Sequence, residues 1–313
     1  MSKAILVTGG RGFLGSAVAR TFKQQGFRVV GLGHGHWTTD EALAHGFDAW
    51  HPGDVSLSSL SALEERFDVI AHCAASSSVP FSLHQPLQAF RMTVQSTAEL
   101  LEHVRCSGTA PLVLYPSSAA VYGASDDRPL KESDRPNPVS PYGYHKQMTE
   151  ELLASYARHG GVRSVVIRYF SIYGNGLARQ LLWDAAEKLS SGRDVAEFWG
   201  TGEETRDWIH VNDAAALMLA ASSVQDQHLV VNGASGDRVT VAGVLRQLRD
   251  ALGVDVALRF NGIVKPGDPR HYHADVLRMH ALGWRPSVPL DEGLRDYVHW
   301  LRRPRATSAG GAR

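Results

Sequence analysis

From residue 4 to residue 169, short apolar runs alternate with longer stretches in which apolar residues recur at helical spacing. The apolar runs predict strands at 4–7, 27–33, 49–54, 68–72, 112–115 and 164–169. The helical spacing predicts helices at 85–105 and 142–158, the first with core positions at Phe90, Val94, Leu100, Leu101 and Val104. Strands and helices that alternate in this way predict an α/β fold, a doubly wound parallel sheet covered by helices on both faces.

The pattern changes after Gly174, where the loops lengthen and the elements between them shorten. The longer loops lie at 174–178, 200–206, 233–238 and 261–270. We therefore predict a first domain at 1–174 and a smaller lobe mainly at 175–303, with elements that can interleave with those of the first domain. The small and polar residues of 304–313 predict a disordered tail.

Composition and charge argue against a nucleic-acid-binding, membrane or secreted protein. Lys plus Arg and Asp plus Glu number 32 each among 313 residues, so no overall charge favours nucleic acid or a membrane surface. No apolar run approaches the roughly 20 residues of a membrane span, and the N-terminus has no signal-peptide pattern. The two cysteines, Cys73 and Cys106, form no CxxC pair. We expect a cytoplasmic protein without nucleic-acid or membrane partners.

Fifteen histidines raise the question of a metal site. Two pairs, His34 with His36 and His271 with His273, are spaced by two residues, but neither pair belongs to an HExxH motif or has a cysteine partner. On a strand this spacing only places both rings on one face. We predict ordinary surface or pocket histidines and no metal.

The turn after the first strand is rich in glycine. Its sequence, from Thr8 to Gly15, leads from a strand directly into helix-forming residues. In this context Gly9 would permit a tight turn, Gly12 would let the backbone approach a pyrophosphate, and Gly15 would let the helix pack on the strand. The N–H groups at the helix start would bind the phosphate. The turn predicts nucleotide binding in a Rossmann fold; the alternative is a plain strand-to-helix turn.

A second set of residues indicates proton-transfer chemistry. Tyr142 and Lys146 lie four residues apart at the start of the predicted helix and therefore share one face. A nearby ammonium group lowers the pKa of a phenol, which would make Tyr142 a usable acid or base. Ser118, at the end of the fifth predicted strand, would hydrogen-bond a substrate hydroxyl that Tyr142 deprotonates. Without this context, a surface pair and a serine-rich turn would be the simpler interpretations.

Together these motifs resemble the extended short-chain dehydrogenase/reductase family, the NAD-dependent sugar-nucleotide epimerases and dehydratases. The resemblance covers roughly residues 3–303. It rests on 8–15, Asp54, 72–75, Ser118, Tyr142 with Lys146, 168–174, 205–213, 266–268 and 282–284.

The resemblance implies a role for each matching residue. Tyr142 would be the acid and base, Lys146 would bind the nicotinamide ribose and tune Tyr142, and Ser118 would orient the substrate. The implied cofactor-binding residues are Gly9, Gly12, Phe13, Leu14, Gly15, Gly33, His34, Asp54, Val55, Ala74, Ala75, Tyr142, Lys146 and Tyr169. The implied substrate-binding residues are Ser76, Ser118, Ser171, Arg206, Lys265 and Asp268, with Arg206 on the diphosphate of a sugar nucleotide.

Several positions depart from the family pattern. The 4,6-dehydratases have an Asp-Glu pair directly after the catalytic hydroxyl, where this chain has Ala119 and Ala120, so ordinary 4,6-dehydration is disfavoured. Thr93 and Ser171 replace common asparagines. Lys265 stands where a second arginine is usual, and lysine cannot form the bidentate fork with phosphate.

The cofactor remains open between NAD and NADP. An acidic residue at the end of the second strand usually binds the adenosine ribose of NAD, but residues 33–37 here read Gly-His-Gly-His-Trp. A His34 or His36 imidazolium could meet a 2′-phosphate, and a flexible loop is the simpler alternative. We expect NAD or NADP, tightly bound.

The most specific interpretation is a C4 epimerase that acts on a nucleoside-diphosphate sugar, with a UDP-sugar favoured, through a transient 4-keto intermediate. The alternatives are a 4-ketoreductase or an atypical dehydratase of the same family and, from another class, a non-catalytic nucleotide-binding protein. The resemblance also implies a homodimer formed through the helices at 85–105 and 142–158.

Overall fold

The computed structural model describes residues 2–76, 78–124, 127–263 and 270–303. Lys265, Asp268 and the tail predicted at 304–313 therefore lie outside the described residues. Within them the strands are β1 (Ala4–Thr8), β2 (Arg28–Gly33), β3 (Ala49–Pro52), β4 (Val69–His72), β5 (Leu112–Ser118), β6 (Ser164–Tyr169), β7 (Ser171–Tyr173), β8 (Val195–Phe198), β9 (Thr205–Arg206), β10 (Trp208–His210), β11 (His228–Gly233), β12 (Val239–Thr240) and β13 (Ala257–Phe260).

The α-helices between them follow the chain in the same way. They are α1 (Phe13–Gln24), α2 (Thr39–Ala44), α3 (Leu57–Ser61), α4 (Val79–His84), α5 (Pro86–Phe90), α6 (Ser96–Cys106), α7 (Pro141–Gly160), α8 (Gln180–Leu189), α9 (Val211–Ala221), α10 (Val241–Leu252), α11 (Leu277–Ala281) and α12 (Leu290–Leu301). A π-helical turn, Arg91–Gln95, joins α5 to α6, and a 3-10 turn, Ala119–Val121, follows β5. No helix in the described ranges has the length and apolar character that a membrane crossing requires.

Seven strands form the central sheet, in the order β11-β6-β5-β4-β1-β2-β3. Every neighbouring pair is parallel. All residues of β1, β4 and β6 are buried, because helices cover both faces of the sheet and leave no polar face. The doubly wound α/β fold predicted from the sequence is confirmed.

The helices divide between the two faces of this sheet. On one face α1 packs against α9 over a core that includes Val18, Phe22 and Met218. On the other face α6 contacts α3 and α7 over a core that includes Leu100, Leu101 and Leu153. Burial of such apolar side chains contributes about 1.5–3 kcal/mol each.

The second half of the chain builds a core of its own and also returns to the sheet. Helices α8, α10 and α12 pack around Leu182, Leu245 and Tyr297. Strand β11, by contrast, pairs with β6 at the edge of the central sheet, and α9 belongs to the layer of α1. Elements from beyond residue 174 thus form part of the central sheet and of the helix layer that contains α1. The predicted domain boundary at 174 stays a prediction.

The helix predicted at 85–105 is broken by the π-helical turn at Arg91–Gln95. Val94, Leu100, Leu101 and Val104 are buried as predicted, but Phe90 is 36% exposed, so its place in the predicted core is wrong. The physical reason is that the wider π turn changes the angle between successive side chains, so one helical phase cannot describe both sides of the turn.

Candidate active site

A cavity of about 1800 Å³ lies over the carboxyl ends of the central strands, where doubly wound folds bind ligands. Every predicted site residue that the structure describes lines it. These residues are Gly9, Gly12, Phe13, Leu14, Gly15, Gly33, His34, Asp54, Val55, Ala74, Ala75, Ser76, Ser118, Tyr142, Lys146, Tyr169, Ser171 and Arg206. We call the part around the glycine turn 8–15 and the ends of β2 and β4 the cofactor end. The part around Ser171, Arg206, Arg270 and Tyr272 is the substrate end.

The glycine turn is formed by close backbone contacts. Gly9 has a φ of +65°, and its N–H donates to the carbonyl of Leu32 at 2.8 Å. A Cβ on Gly9 would lie 2.8 Å from the backbone of Ala74, and one on Gly15 would lie 2.4 Å from the Gly9 carbonyl oxygen. Only glycine fits both positions, because backbone atoms cannot move aside as a flexible side chain can. The turn thus has the geometry that the sequence predicts for Gly9 and Gly15.

Helix α1 begins in this turn without a capping side chain. Gly12 is its N-cap residue, and its first turn contains no acidic residue. The first N–H groups of a helix have no partner within the helix, and the helix dipole adds positive potential there. Phe13 and Leu14 therefore present N–H groups to the cavity at a position that suits an anion.

The neighbouring wall of the cofactor end is fixed by a buried histidine. His72 Nδ1 lies 2.8 Å from Thr8 Oγ1, and His72 Nε2 lies 3.0 Å from Thr97 Oγ1. Burial lowers the pKa of His72 to about 3, so the ring is neutral and serves as a link between the two threonines. Thr8 Oγ1 also accepts from the Ala74 N–H at 3.2 Å, which ties the loop after β4 to the glycine turn.

Ser76 continues this loop and leaves one polar atom without a partner. Its N–H donates to Thr93 Oγ1 at 3.1 Å, so Thr93 has a clear structural role. Its own Oγ is buried, lines the cavity and finds no hydrogen-bond partner among the described residues. A buried hydroxyl without a partner costs free energy, and a bound ligand would remove that cost.

Next to the end of β2, two of the residues predicted to bind the cofactor contact each other. His34 Nε2 lies 2.6 Å from Asp54 Oδ1, and both side chains are exposed. Arg11 of the glycine turn also reaches this loop, with its Nη1 3.4 Å from the His34 carbonyl oxygen. The residues after β2 contain no arginine, but the fold places one against them.

The catalytic candidates meet in the middle of the cavity. Helix α7 begins there, because Ser140 caps it by accepting from the Gly143 N–H and Pro141 occupies its first turn. The Tyr142 N–H donates to Ser82 Oγ at 3.0 Å, which fixes the helix start against α4. Ser118 lies at the end of β5, where its Oγ accepts from the Ala120 N–H at 3.2 Å.

The pKa of Tyr142 is raised, which differs from the expectation that Lys146 lowers it. Burial is the main cause, and a hydrogen bond with Ser118 and the charge of Arg179 act in the opposite direction. The Lys146 ammonium lies 6.0 Å from the centre of the Tyr142 ring and is not among the groups that shift this pKa. The expectation fails because removal of water from the phenol outweighs the nearby charges.

Lys146 is itself almost fully buried. Its Nζ donates to the Pro116 carbonyl at 2.8 Å and lies 4.6 Å from the centre of the Tyr115 ring. Burial lowers its pKa to about 8. The ammonium is thus held at the floor of the cavity between β5 and α7.

Beneath these residues lies a buried ion pair. Arg168 Nη2 donates to Glu150 Oε2 at 2.7 Å, and both side chains are less than 9% exposed. Glu150 Oε1 also accepts from Ser117 Oγ at 2.5 Å. Glu150 lies one turn after Lys146 on α7, so its ion pair with Arg168 joins β6 to this helix. Its hydrogen bond with Ser117 joins the same helix to β5, the strand that carries Ser118.

At the substrate end, short extended segments place two arginines on one side. β9 pairs with β12 and bridges to His271, so that Thr205 Oγ1 lies 3.0 Å from His271 Nδ1. Successive side chains of an extended segment point in opposite directions. Arg206 and Arg270 therefore face away from that contact, and both line the cavity.

Asp207 connects the segments of the substrate end. Its carboxylate accepts from Ser235 N and Oγ at 2.8 Å each, from Gly236 N at 3.2 Å and from Ala274 N at 3.3 Å. Its carbonyl accepts from Ser171 N at 2.9 Å. Burial raises the pKa of Asp207 to about 6 even with these donors. Asp207, which follows Arg206 directly, is thus attached to residues 235, 236 and 274 through its carboxylate and to Ser171 through its carbonyl.

Sequence reasoning missed four arginines that line the cavity, namely Arg11, Arg91, Arg179 and Arg270. Arg179 precedes Gln180, the one non-glycine residue with positive φ (67°) among those described. Strained backbone often marks a functional site, but no sequence signal showed this strain. Trp199, Glu204 and Tyr272 also line the cavity.

Comparisons with known proteins agree with this architecture. The model of the NAD dependent epimerase/dehydratase family matches residues 5–232. A UDP-glucose 4-epimerase from Azospirillum brasilense is 31% identical over 325 residues, which cover 96% of this chain and 92% of that protein. A Thermotoga maritima UDP-glucose 4-epimerase with UDP-glucose superposes with a TM-score of 0.87 at 27% identity, over 96% of this chain and 98% of that one. A Bacillus cereus UDP-glucuronic acid 4-epimerase with UDP-glucuronic acid and NAD gives 0.85 at 25% identity, over 96% and 99%.

Proposed function

The chain belongs to the NAD-dependent epimerase/dehydratase family, and we propose that it is an enzyme that interconverts C4 epimers of a UDP-sugar. One observation carries this proposal. Ser118, Tyr142 and Lys146 line a single cavity with the glycine turn, and the two residues after Ser118 are alanines without any proton-transfer group. One acid–base pair suffices to oxidise a hydroxyl and reduce the ketone again, whereas elimination of water needs further groups.

The cavity fits a nicotinamide dinucleotide. The cradle at Gly9 and Gly15 would be filled by any Cβ, the first N–H groups of α1 suit the pyrophosphate, and Ser76 Oγ is a buried hydroxyl that a ligand could satisfy. A nicotinamide bound here would supply the reversible hydride acceptor that the oxidation and reduction at C4 of the sugar require. Lys146, at the cavity floor, would hold the nicotinamide ribose.

The proton transfers belong to Tyr142. In its ionised form the Tyr142 oxygen takes the proton of the C4 hydroxyl, and after the sugar has turned it gives the proton back to the C4 oxygen. Ser118, hydrogen-bonded to Tyr142, holds the same substrate oxygen through its hydroxyl. Fixed positions for the donor and the acceptor lower the entropic part of the barrier.

The substrate end would hold the nucleotide while the sugar turns. Arg206 faces the cavity on a segment that Asp207 fixes from behind. A guanidinium group suits the bidentate recognition of a diphosphate. Ser171 lines the same cavity, and its backbone N–H donates to the Asp207 carbonyl. Retention of the diphosphate keeps the 4-keto sugar from leaving before it is reduced. Lys265 and Asp268 stay predicted substrate contacts outside the described residues.

The test is Tyr142→Phe, assayed with UDP-glucose, UDP-galactose and UDP-glucuronate for the formation of C4 epimers. We expect the wild-type protein to convert at least one of them without added reductant, and the variant to lose about 1000-fold in kcat. Tyr144→Phe, an exposed tyrosine on the same helix, is the matched control and should retain full activity. A variant at Tyr142 with near wild-type kcat would contradict the assignment.

The same assay separates the other family chemistries. A stoichiometric requirement for NADPH would identify a ketoreductase, and a product that has lost water would identify a dehydratase. Binding of cofactor without turnover of any sugar nucleotide would identify a non-catalytic protein.

We further propose that the protein is a homodimer. Exposed apolar side chains are concentrated on α5, the π turn and α7, namely Leu87, Phe90, Met92, Tyr144 and Met148. These elements are continuous with each other, since the rings of Phe90 and His145 meet at 5.7 Å. An exposed apolar patch of this kind often marks an interface.

Sedimentation equilibrium tests this proposal. We expect a dimer for the wild-type protein and a monomer for Leu87→Glu combined with Met148→Glu. Leu277→Glu, exposed on α11, is the control and should stay dimeric. A wild-type monomer would refute the proposal.

Tight cofactor binding and a cytoplasmic location are also proposed. Cys73 and Cys106 are both free, as expected in a reducing compartment. The purified protein should release NAD or NADP on denaturation, which mass spectrometry would identify.

A further inference from the structure

We propose that Arg11, together with the loop after β2, forms a binding site for the 2′-phosphate of an adenine dinucleotide, so that this protein accepts NADP. The inference rests on the proposed function, since it concerns the cofactor of that reaction. In Rossmann folds an acidic residue near the end of the second strand binds the ribose hydroxyls of NAD, whereas an arginine accommodates the added phosphate of NADP.

Arg11 satisfies the second requirement through its position. Its guanidinium carbon lies 4.9 Å from the centre of the Trp37 ring, and its Nη1 lies 3.4 Å from the His34 carbonyl oxygen. The side chain also passes over Gly35, where a Cβ would meet Nη1 at 1.6 Å. A glycine with a φ of +83° therefore leaves the space that the guanidinium occupies. The cation lies at the end of β2, on the rim of the cofactor end.

The partners that hold Arg11 are themselves fixed. Trp37 stacks on His45 at 4.4 Å and lies 4.7 Å from Trp50, measured between ring centres. The Trp50 indole N–H donates to the Gly35 carbonyl at 2.8 Å. The loop after β2 is thus attached to β3 rather than free. A guanidinium that is already placed loses less conformational entropy when it binds phosphate.

The carboxylate that favours NAD is missing from this loop. Residues 33–37 contain no acid. Of the acids nearby, Asp54 lies 2.6 Å from His34 Nε2. Glu41, whose pKa Arg11 helps to lower, accepts from the Thr38 N–H at 2.7 Å. A phosphate monoester at this place would meet the Arg11 guanidinium, while Asp54 is paired with His34 and Glu41 is bonded to the Thr38 N–H.

The alternative is that Arg11 only fastens the loop to the glycine turn. Titration calorimetry with the full-length protein separates the two roles. The probes are adenosine 2′,5′-bisphosphate, which carries the 2′-phosphate, and adenosine 5′-monophosphate, which does not. We expect the wild-type protein to bind the bisphosphate about tenfold more tightly or better.

In Arg11→Gln the preference for adenosine 2′,5′-bisphosphate should disappear, while the affinity for adenosine 5′-monophosphate stays unchanged. Arg11→Lys should retain part of that preference. Arg158→Gln, exposed at the end of α7, is the control and should keep the full preference. Equal wild-type affinities for both probes would overturn the proposal, as would a preference that survives in Arg11→Gln. An equal loss of both affinities would show that Arg11 only fastens the loop. None of these results depends on turnover, so failure of the epimerase assay remains a separate outcome.

Discussion

The cofactor end of the cavity is shaped by close contacts between backbone atoms, whereas the substrate end is held together by polar side chains. The turn around Gly9 and Gly15 is so tight that a Cβ at either position would lie only 2.4–2.8 Å from backbone atoms. Arg206 instead lies on a two-residue strand, and the carboxylate of the next residue, Asp207, attaches that segment to residues 235, 236 and 274. The difference teaches that the cofactor end tolerates little change in shape, and that the substrate end depends on single polar groups.

The largest effect is expected from Asp207→Ala, which leaves the N–H groups of Ser235, Gly236 and Ala274 without their acceptor. We expect the free energy of unfolding to fall by about 3–5 kcal/mol, since each unsatisfied buried donor costs about 1–3 kcal/mol. Urea unfolding followed by tryptophan fluorescence measures this loss. Sugar-nucleotide affinity should fall and NAD affinity should not; an equal loss of both would remove the distinction between the two ends. Asp237→Ala, exposed nearby, is the control.

Gly15→Ala tests the cofactor end in the same way. The new Cβ would lie 2.4 Å from the Gly9 carbonyl oxygen, so the turn must shift, at a cost of about 1–3 kcal/mol in stability. NAD affinity, measured by calorimetry, should fall at least about tenfold, with little change in the affinity for UDP. Gly160→Ala in α7, where φ is not positive and a Cβ would lie no nearer than 3.3 Å to any side-chain atom around it, controls for the loss of glycine. Unchanged NAD affinity would show that the turn is more adaptable than its contacts indicate.

Arg206→Gln removes one charged group from the substrate end without disturbing its frame. UDP affinity should fall about tenfold, or about 1.4 kcal/mol, with unfolding free energy and NAD affinity unchanged. Arg206→Lys should recover part of the loss, because lysine keeps the charge but not the fork. Arg259→Gln, exposed on β13, serves as the control. If UDP binds the glutamine variant as well as the wild type, Arg206 is not the diphosphate ligand.

The smallest effect is a change in the pH dependence of kcat when Arg179, which lines the cavity, is replaced. Its charge lowers the pKa of Tyr142 against the larger effect of burial. Arg179→Gln should therefore raise that pKa further and move the acid limb of the kcat profile to higher pH by less than about one unit. Arg179→Lys should restore the wild-type profile. A shift to lower pH, or none, would exclude the electrostatic role.

The sequence specified the features that depend on neighbouring residues. The order of strands and helices followed from the spacing of apolar residues. The glycine turn and the Tyr142–Lys146 pair could be predicted because their geometry depends on residues close in sequence. Every described residue predicted for the site lines the cavity, since parallel strands bring their carboxyl ends to one edge. The π turn that exposes Phe90 could not be predicted from the sequence, because no rule of residue spacing marks an extra residue in a helical turn.

Only the tertiary structure decided what depends on contacts between distant segments. Arg11 meets the loop of His34 across 23 residues, and Asp207 meets Ala274 across 67. The pKa of Tyr142 likewise depends on its burial and on Arg179, neither of which the spacing to Lys146 reveals. The sequence identifies the candidate reacting groups, but their pKa values depend on charges and burial that only the fold brings about, because electrostatic interactions act between residues that are distant in sequence.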